Sequence, residues 1–124
     1  MYADKESEVR SLSLAVKHAI QKGYQSGWGW IFSTARKKNI DTIAELEMTL
    51  EDVKSEILSL SVDDYCSGPL KDPEIKGDVW TFGKTIRGKE VYIKLKLWGD
   101  KRGQAVRVLS FHIAEAPLSY YFKC

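Results

Sequence analysis

The sequence predicts an α+β fold in which helices come first and an antiparallel sheet of three or more strands follows. Up to about residue 60, apolar side chains recur every three or four positions, which is the spacing of one helix face. After Pro69 they alternate with a period of two, as in strands that bury one face. Helices followed by a run of strands are typical of α+β domains.

The length and composition indicate one globular domain. The chain has 124 residues, of which 44% are hydrophobic and 29% are charged. No apolar run approaches the roughly 20 residues of a membrane helix, and the polar, acidic start is unlike a secretory signal. We therefore expect a single cytoplasmic domain over 1–124 without a membrane partner. Its N-terminal helix and Gly/Trp loop would occupy 1–35, and its core 36–124.

Two helices and a short strand are predicted in the first third of the chain. The first helix runs from Asp4 to Lys22, and Gly23 is suited to end it. The Gly/Trp loop follows, and Trp30 to Ser33 is expected to form a short strand. A second helix is predicted from Ile40 to Glu47.

A capping box marks the start of a third helix. Thr49 is followed three residues later by the carboxylate of Asp52, so each can bond to the backbone of the other. Four apolar residues then share one helix face: Leu50, Val53, Ile57 and Leu58. Ser61 and Asp64 repeat the same pattern for a single turn, and Ser67-Gly68-Pro69 ends the helical part of the chain.

Three strands joined by hairpin turns are predicted in the second half. They span Asp78–Lys84, Lys89–Trp98 and Gln104–Ile113. The turns are expected at 85–88, where Gly88 suits a positive φ, and at 99–103.

The middle strand alternates strictly between two faces. Its aliphatic face is Val91, Ile93, Leu95 and Leu97. The opposite face is Tyr92, Lys94, Lys96 and Trp98, which offers ammonium groups to phosphates and rings on which bases can stack. The alternative is a solvated face on which lysines protect a sheet edge. In the last strand we expect Leu109 and Phe111 to point inward, and Val108, Ser110 and His112 to point outward.

Positive charge is concentrated in the same half of the chain. Residues 1–74 carry a net charge of −4, and residues 75–124 carry +6. A basic face on an otherwise acidic domain indicates a polyanionic partner. A separate basic cluster, Arg36-Lys37-Lys38, precedes the second helix, where it either contacts a phosphate backbone or is a solvated run of charge.

Several site motifs are excluded by spacing. Gly83-Lys84-Thr85 resembles the end of a P-loop, but the first glycine of that motif would have to stand at Asp78. The two histidines and two cysteines lack metal-ligand spacing, so we expect no metal and no cofactor. Cys66 and Cys124 are expected to be reduced thiols rather than a disulfide.

Cleavage of RNA without a metal is chemically feasible on the face that carries the lysines. Pairing of the last two strands would bring His112 close to Tyr92, Lys94 and Lys96. Such cleavage needs a base for the 2′-OH, an acid for the leaving 5′-oxygen, and cations for the charge that develops on the phosphate. Histidine can serve as base or acid near neutral pH. The alternative is a histidine with a structural role at the end of a strand.

The sequence also resembles the MqsR family of type II toxins from about Asn39 to Tyr120. The similar segments, in order, are Leu60–Tyr65, Gly68–Leu70, Gly77–Lys84, Val91–Lys96, Ser110–His112, Ala114-Glu115 and Pro117–Tyr120. This resemblance implies a RelE-type fold, an mRNA interferase that acts without the ribosome, and a cognate antitoxin that occludes or restrains it. It also implies four catalytic positions, at Ser67, Thr81, Tyr92 and His112. Tyr92 keeps the family's residue type, whereas the other three positions differ from the lysine, glutamine and lysine of the family.

Two hypotheses follow from the sequence. In the first, the protein is an mRNA interferase in which His112 transfers protons, Lys94 and Lys96 hold the scissile phosphate, and Tyr92 positions the phosphate or shares proton transfer. Further RNA contacts are expected at Ser67, Trp80, Thr81, Lys84 and Arg107. In the second, the same face is a non-catalytic module that binds RNA or a protein, which the three altered family positions favour. The expected partners are mRNA and an antitoxin, with a homodimer as an option.

Overall fold

The computed structural model describes residues 2–26, 30–71, 78–100 and 103–122, and it has the predicted α+β architecture. The helices are α1 (Tyr2–Ser26), α2 (Lys37–Glu45) and α3 (Leu50–Leu58), with a 3₁₀ turn at Val62–Asp64. The strands are β1 (Trp30–Phe32), β2 (Tyr65–Lys71), β3 (Asp78–Ile86), β4 (Lys89–Asp100) and β5 (Gly103–Ile113). Among these residues, no helix is both long enough and apolar enough to cross a membrane.

The five strands form one mixed sheet in the order β1-β5-β4-β3-β2. Strands β3 to β5 are antiparallel, as predicted, and β2 pairs antiparallel with β3, whereas β1 pairs in parallel with β5. Strand β2 was not predicted as a strand, because its Ser67-Gly68-Pro69 segment has the composition of a break. It lies at the edge of the sheet, where a proline does not need to donate to a further strand.

The bounds of α1 and α2 differ from the predicted ones, whereas the predicted start of α3 was confirmed. Helix α1 continues past Gly23 to Ser26, since the cost of one interior glycine, about 1 kcal/mol, is small beside tertiary packing. Helix α2 begins at Lys37 rather than Ile40. Helix α3 begins at the predicted capping box, in which the Asp52 N–H donates to the Thr49 hydroxyl at 3.1 Å and the Thr49 N–H donates to the Asp52 carboxylate at 2.8 Å.

The hydrophobic core lies between one face of the sheet and helices α1 and α3. Its members include Val9 and Val16 from α1, Val53 and Ile57 from α3, and Phe82, Ile93 and Phe111 from the sheet. The predicted aliphatic face of β4 is therefore the core face. Burial of that face fixes the register of β4, because a shift of one residue would move its lysines into the core.

The turn between β3 and β4 is shorter than predicted. It contains only Arg87 and Gly88, with φ values of 50° and 83°, while Thr85 and Ile86 remain paired in the sheet. Two consecutive positive φ values match the right-handed twist of a hairpin, and a glycine lowers the strain of that conformation.

A β-bulge in β5 changes which side chains leave the core. Lys94 is opposite Ser110, but the next residue, Leu95, is opposite Val108, so Leu109 is an extra residue in β5. The prediction that Val108 points outward is wrong, because the bulge turns Val108 into the core. It also places Arg107 opposite Lys96, on the face away from the core.

A buried asparagine on α2 holds this bulge. Asn39 Nδ2 donates to the carbonyls of Leu109 at 3.1 Å and Ser33 at 3.0 Å, and its Oδ1 accepts from the Phe111 N–H at 3.0 Å. Strand β1 pairs with β5 only at residues 106–108. Past the end of β1, Asn39 therefore makes the hydrogen bonds to β5 that another strand would have made.

The segment after β5 crosses the sheet and forms hydrogen bonds with Glu90. The Glu90 carboxylate accepts from the Leu118 N–H at 3.1 Å and from the Tyr120 hydroxyl at 2.8 Å. A Cβ atom on Gly83 would lie 2.8 Å from that hydroxyl and would also collide with Leu118. A glycine at this position therefore allows the segment to lie directly on the sheet.

Replacing Glu90 by alanine is expected to detach this segment and to lower the free energy of unfolding by about 1–3 kcal/mol, because two partly buried donors lose their acceptor. Urea unfolding and hydrogen exchange at the Leu118 amide would measure the two effects. Lys89→Ala, at the exposed neighbouring position, is the control and is expected to change the free energy by less than about 0.5 kcal/mol. Unchanged exchange at Leu118 in Glu90→Ala would contradict this description of the segment.

Candidate active site

The sheet face away from the core gathers seven of the nine predicted site residues. We call this surface the polar face; its members are Ser67, Thr81, Tyr92, Lys94, Lys96, Arg107, Ser110 and His112. Residues directly opposite on neighbouring strands share a face. Tyr92 is opposite His112, Lys94 is opposite both Ser110 and Thr81, and Thr81 is opposite Ser67.

The other two predicted RNA contacts do not belong to the polar face. Trp80 is opposite Leu95 and is part of the hydrophobic core, where 8% of its surface is exposed. Lys84 is opposite Val91, and its ammonium group contacts the Ser59 hydroxyl and the Glu56 carboxylate, the latter at 3.4 Å. Trp80 is one position and Lys84 three positions from Thr81 along β3, and an odd separation in a strand places side chains on opposite sides.

The ring that was expected to stack bases at the end of β4 falls outside the described part of the structure. The backbone of Trp98 is opposite Ala105, but the side chain of Trp98 lies outside the described residues, as do residues 27–29 of the Gly/Trp loop.

The imidazole of His112 lies against the phenol ring of Tyr92. The ring centroids are 5.3 Å apart, with an interplanar angle of 38°. His112 Nδ1 is 3.0 Å from the carbonyl oxygen of Ile113. Because a carbonyl oxygen only accepts hydrogen bonds, Nδ1 must carry the proton in this contact. In the neutral ring Nε2 then holds the lone pair, which is the arrangement required of a general base.

The Tyr92 hydroxyl is held in its protonated form. Burial raises its pKa above the usual value of 10, an effect that a nearby Cys66 charge would reinforce and that the positive charge of Arg36 opposes. Tyr92 can therefore donate a hydrogen bond or a proton at neutral pH.

Ser67 and Thr81, at two positions that the resemblance implied to be catalytic, bond to each other. Their hydroxyl oxygens are 2.5 Å apart, and the Thr81 hydroxyl is also 3.3 Å from the Ser67 carbonyl. These groups can form hydrogen bonds with a ligand, but neither is an acid or a base at neutral pH. His112 and Tyr92 are therefore better suited to proton transfer than this hydroxyl pair.

A thiol beside the polar face is unreactive at neutral pH. Cys66 is a free cysteine, and burial raises the pKa of its thiol to about 11. The thiolate is the nucleophilic form, so Cys66 does not supply a nucleophile. The other cysteine, Cys124, lies outside the described residues.

The cationic side chains of the polar face differ in exposure. Lys94 is half-buried, next to the His112–Tyr92 pair. Lys96, one pair further along β4, has only 9% of its surface exposed, whereas Arg107 opposite it is exposed. On the polar face, Lys94 and Arg107 are thus more accessible to a ligand than Lys96, most of whose surface is buried.

One neighbouring residue was missed as a site residue in the sequence. Arg36, at the N-cap of α2, donates from its guanidinium to the Ser110 hydroxyl at 3.2 Å. The sequence placed Arg36 in a basic cluster, but only the packing of α2 against β5 brings it to the polar face.

Comparison of the chain with protein-family models, with curated proteins and with solved structures found no match.

Proposed function

We propose that this protein is a metal-independent endoribonuclease that cleaves single-stranded mRNA on the polar face. The observation that carries the proposal is the His112–Tyr92 pair, in which a base and a proton donor lie side by side. Lys94 is one residue pair away on the same face. A base, an acid and a cation are the three groups that RNA transesterification requires.

In the proposed reaction, His112 Nε2 accepts the proton of the 2′-OH. The 2′-oxygen then forms a bond to phosphorus, and the bond from phosphorus to the 5′-oxygen breaks. Tyr92 donates its proton to the departing 5′-oxygen, which leaves a 2′,3′-cyclic phosphate and a 5′-OH. The raised pKa of Tyr92 keeps that proton available before the reaction.

Lys94 would stabilise the additional negative charge on the phosphate oxygens in the transition state. Preorganised cations at the site of charge development often make the largest single contribution to catalysis. Arg107, further along the face, would hold the backbone of a neighbouring nucleotide, and the Ser67–Thr81 hydroxyl pair would form hydrogen bonds to the RNA.

The proposal includes an MqsR-like role as a cytoplasmic toxin with a RelE-type fold. A cognate antitoxin would then inhibit the enzyme by covering or restraining the polar face. The resemblance beyond Leu60 supports this role, together with an α+β fold whose core helices lie on the other side of the sheet from the polar face.

Incubation of a mixed-sequence RNA with the purified protein in EDTA tests the proposal. We expect discrete cuts whose 5′ fragments end in 2′,3′-cyclic phosphate. The proposal would be contradicted if the RNA stayed intact at both substoichiometric and equimolar protein concentrations. Fragments that end in 3′-OH would also contradict it.

A second candidate is an RNA-binding module without catalysis. The neutral Ser67–Thr81 pair favours it, because two positions that carry a lysine and a glutamine in the MqsR family here bond to each other. In that case the same RNA would bind with salt-dependent affinity and remain intact at equimolar protein.

Replacing Arg107 by alanine is expected to weaken RNA binding and to lower the slope of log K against log salt by about 1, because one phosphate contact is lost. Lys84→Ala is the matched control: Lys84 lies on the opposite side of the sheet, and we expect no change in that slope. Titrations of a short RNA at several salt concentrations measure both variants. Equal effects of the two substitutions would show that RNA does not bind on the polar face.

A further inference from the structure

The three cations at the start of α2, namely Arg36, Lys37 and Lys38, have different environments. Lys37 pairs with Asp41 on the same helix at 2.6 Å, and Lys38 pairs with Glu115. Among the described residues, no carboxylate lies within salt-bridge distance of Arg36, whose guanidinium instead bonds to the neutral Ser110 hydroxyl. The cluster therefore contains one guanidinium without a compensating anion, and that guanidinium lies at the polar face.

Arg36 extends a polar row that crosses the sheet. Ser110 is opposite Lys94, Lys94 is opposite Thr81, and Thr81 bonds to Ser67. The next pair along β4 and β5 is Tyr92 and His112, about 7 Å away at two residues of strand rise. The charge of Arg36 also reaches the Tyr92 hydroxyl, where it lowers the pKa against the larger effect of burial.

The buried Ser110 hydroxyl is a hydrogen-bond partner of this guanidinium. Ser110 is 3% exposed, so its hydroxyl has little access to water and Arg36 supplies its hydrogen bond. One N–H group of Arg36 is used in this way. The guanidinium fork carries further N–H donors, and its charge acts on the Tyr92 hydroxyl.

We propose that Arg36 is the arginine that binds the scissile phosphate, which it contacts from the opposite side to Lys94. This inference rests on the proposed function and extends it, because it assigns a substrate contact to a residue that precedes the MqsR-like part of the chain. A guanidinium binds two phosphate oxygens at once, whereas a lysine acts as a point charge. Arg36 and Lys94 together would then neutralise the charge that forms during attack by the 2′-oxygen.

The experiment compares Arg36→Ala, Ser110→Ala and Lys37→Ala with the native protein. Arg36→Ala is expected to reduce kcat by about 10²- to 10³-fold, the usual effect of losing one group that stabilises transition-state charge. Ser110→Ala removes the same intramolecular hydrogen bond but keeps the guanidinium, so its loss should be clearly smaller. Lys37→Ala removes an exposed, paired charge from the same segment and should leave kcat unchanged.

A binding measurement makes the inference independent of catalysis. The same proteins are titrated with a 2′-O-methyl RNA of the same sequence, which cannot undergo 2′-OH attack. Arg36→Ala is expected to lower the slope of log K against log salt by about 1, and Lys37→Ala to leave it unchanged.

The outcomes separate the two proposals. If the native protein does not cleave RNA but Arg36→Ala still lowers the salt slope, the proposed function fails and the phosphate contact stands. If Arg36→Ala matches Lys37→Ala in both measurements, the assignment of Arg36 is overturned, even if the native protein cleaves. If Ser110→Ala loses as much kcat as Arg36→Ala, Arg36 acts through the sheet rather than on the phosphate, which also overturns the assignment.

Discussion

Replacing His112 by alanine is expected to slow RNA cleavage by about 10²- to 10⁴-fold, because one positioned general base or acid contributes a factor of that size. The fold should persist, since His112 lies outside the hydrophobic core and the one side-chain hydrogen bond it makes within the described part of the chain is to the adjacent Ile113 carbonyl. Initial rates at saturating RNA measure the loss, and thermal unfolding checks the fold.

His18→Ala is the matched control for this prediction. His18 is exposed on α1, which packs on the core side of the sheet, so its removal should not affect cleavage. Retention of nearly the native rate by His112→Ala would remove His112 from the mechanism. A loss accompanied by unfolding would instead assign it a structural role.

Replacing Asn39 by alanine is expected to lower the free energy of unfolding by about 2–5 kcal/mol. The Asn39 side chain is fully buried, and its removal leaves the Leu109 carbonyl and the Phe111 N–H without their partner at the bulge. Each unsatisfied buried group costs about 1–3 kcal/mol. Urea unfolding measures the change.

Lys37→Ala, two positions earlier and exposed on the same helix, should change the free energy of unfolding by less than about 0.5 kcal/mol. Because the bulge sets the register of Arg107 and Ser110, Asn39→Ala should also weaken RNA binding at temperatures where it remains folded. A loss below about 1 kcal/mol would mean that water or a shifted backbone satisfies the bulge without Asn39.

The central part of the candidate site could be predicted from the local pattern of apolar and polar residues in the sequence. The alternation in β4 assigned Tyr92, Lys94 and Lys96 to one face, and a hairpin to the next strand was enough to bring His112 beside Tyr92. Both inferences need only the period-two geometry of strands and a short turn.

The bulge at Leu109 could not be predicted in this way. The residues around it alternate as an ordinary strand would, and the extra residue is stabilised by Asn39, which lies 70 positions earlier in the chain. For that reason the sequence placed Val108 on the wrong face.

Long-range packing also explains the remaining differences between the predicted and the observed positions of residues. Arg36 reaches the polar face only because α2 covers the part of β5 that β1 leaves unpaired. The segment that crosses the sheet at Gly83 depends on Glu90, whose role is not visible in the local sequence. Trp80 and Lys84 were assigned to RNA binding by residue type, whereas their position in the β3 alternation points them away.

The most direct test of the account replaces one ribose at a mapped cleavage position by 2′-deoxyribose and repeats the cleavage reaction in EDTA. If the polar face activates the 2′-OH as its nucleophile, cleavage at that position should disappear, while the cuts elsewhere and the affinity for the RNA remain. Continued cleavage at the deoxy position would show that the 2′-OH is not the nucleophile, and the roles proposed for His112 and Tyr92 would be wrong.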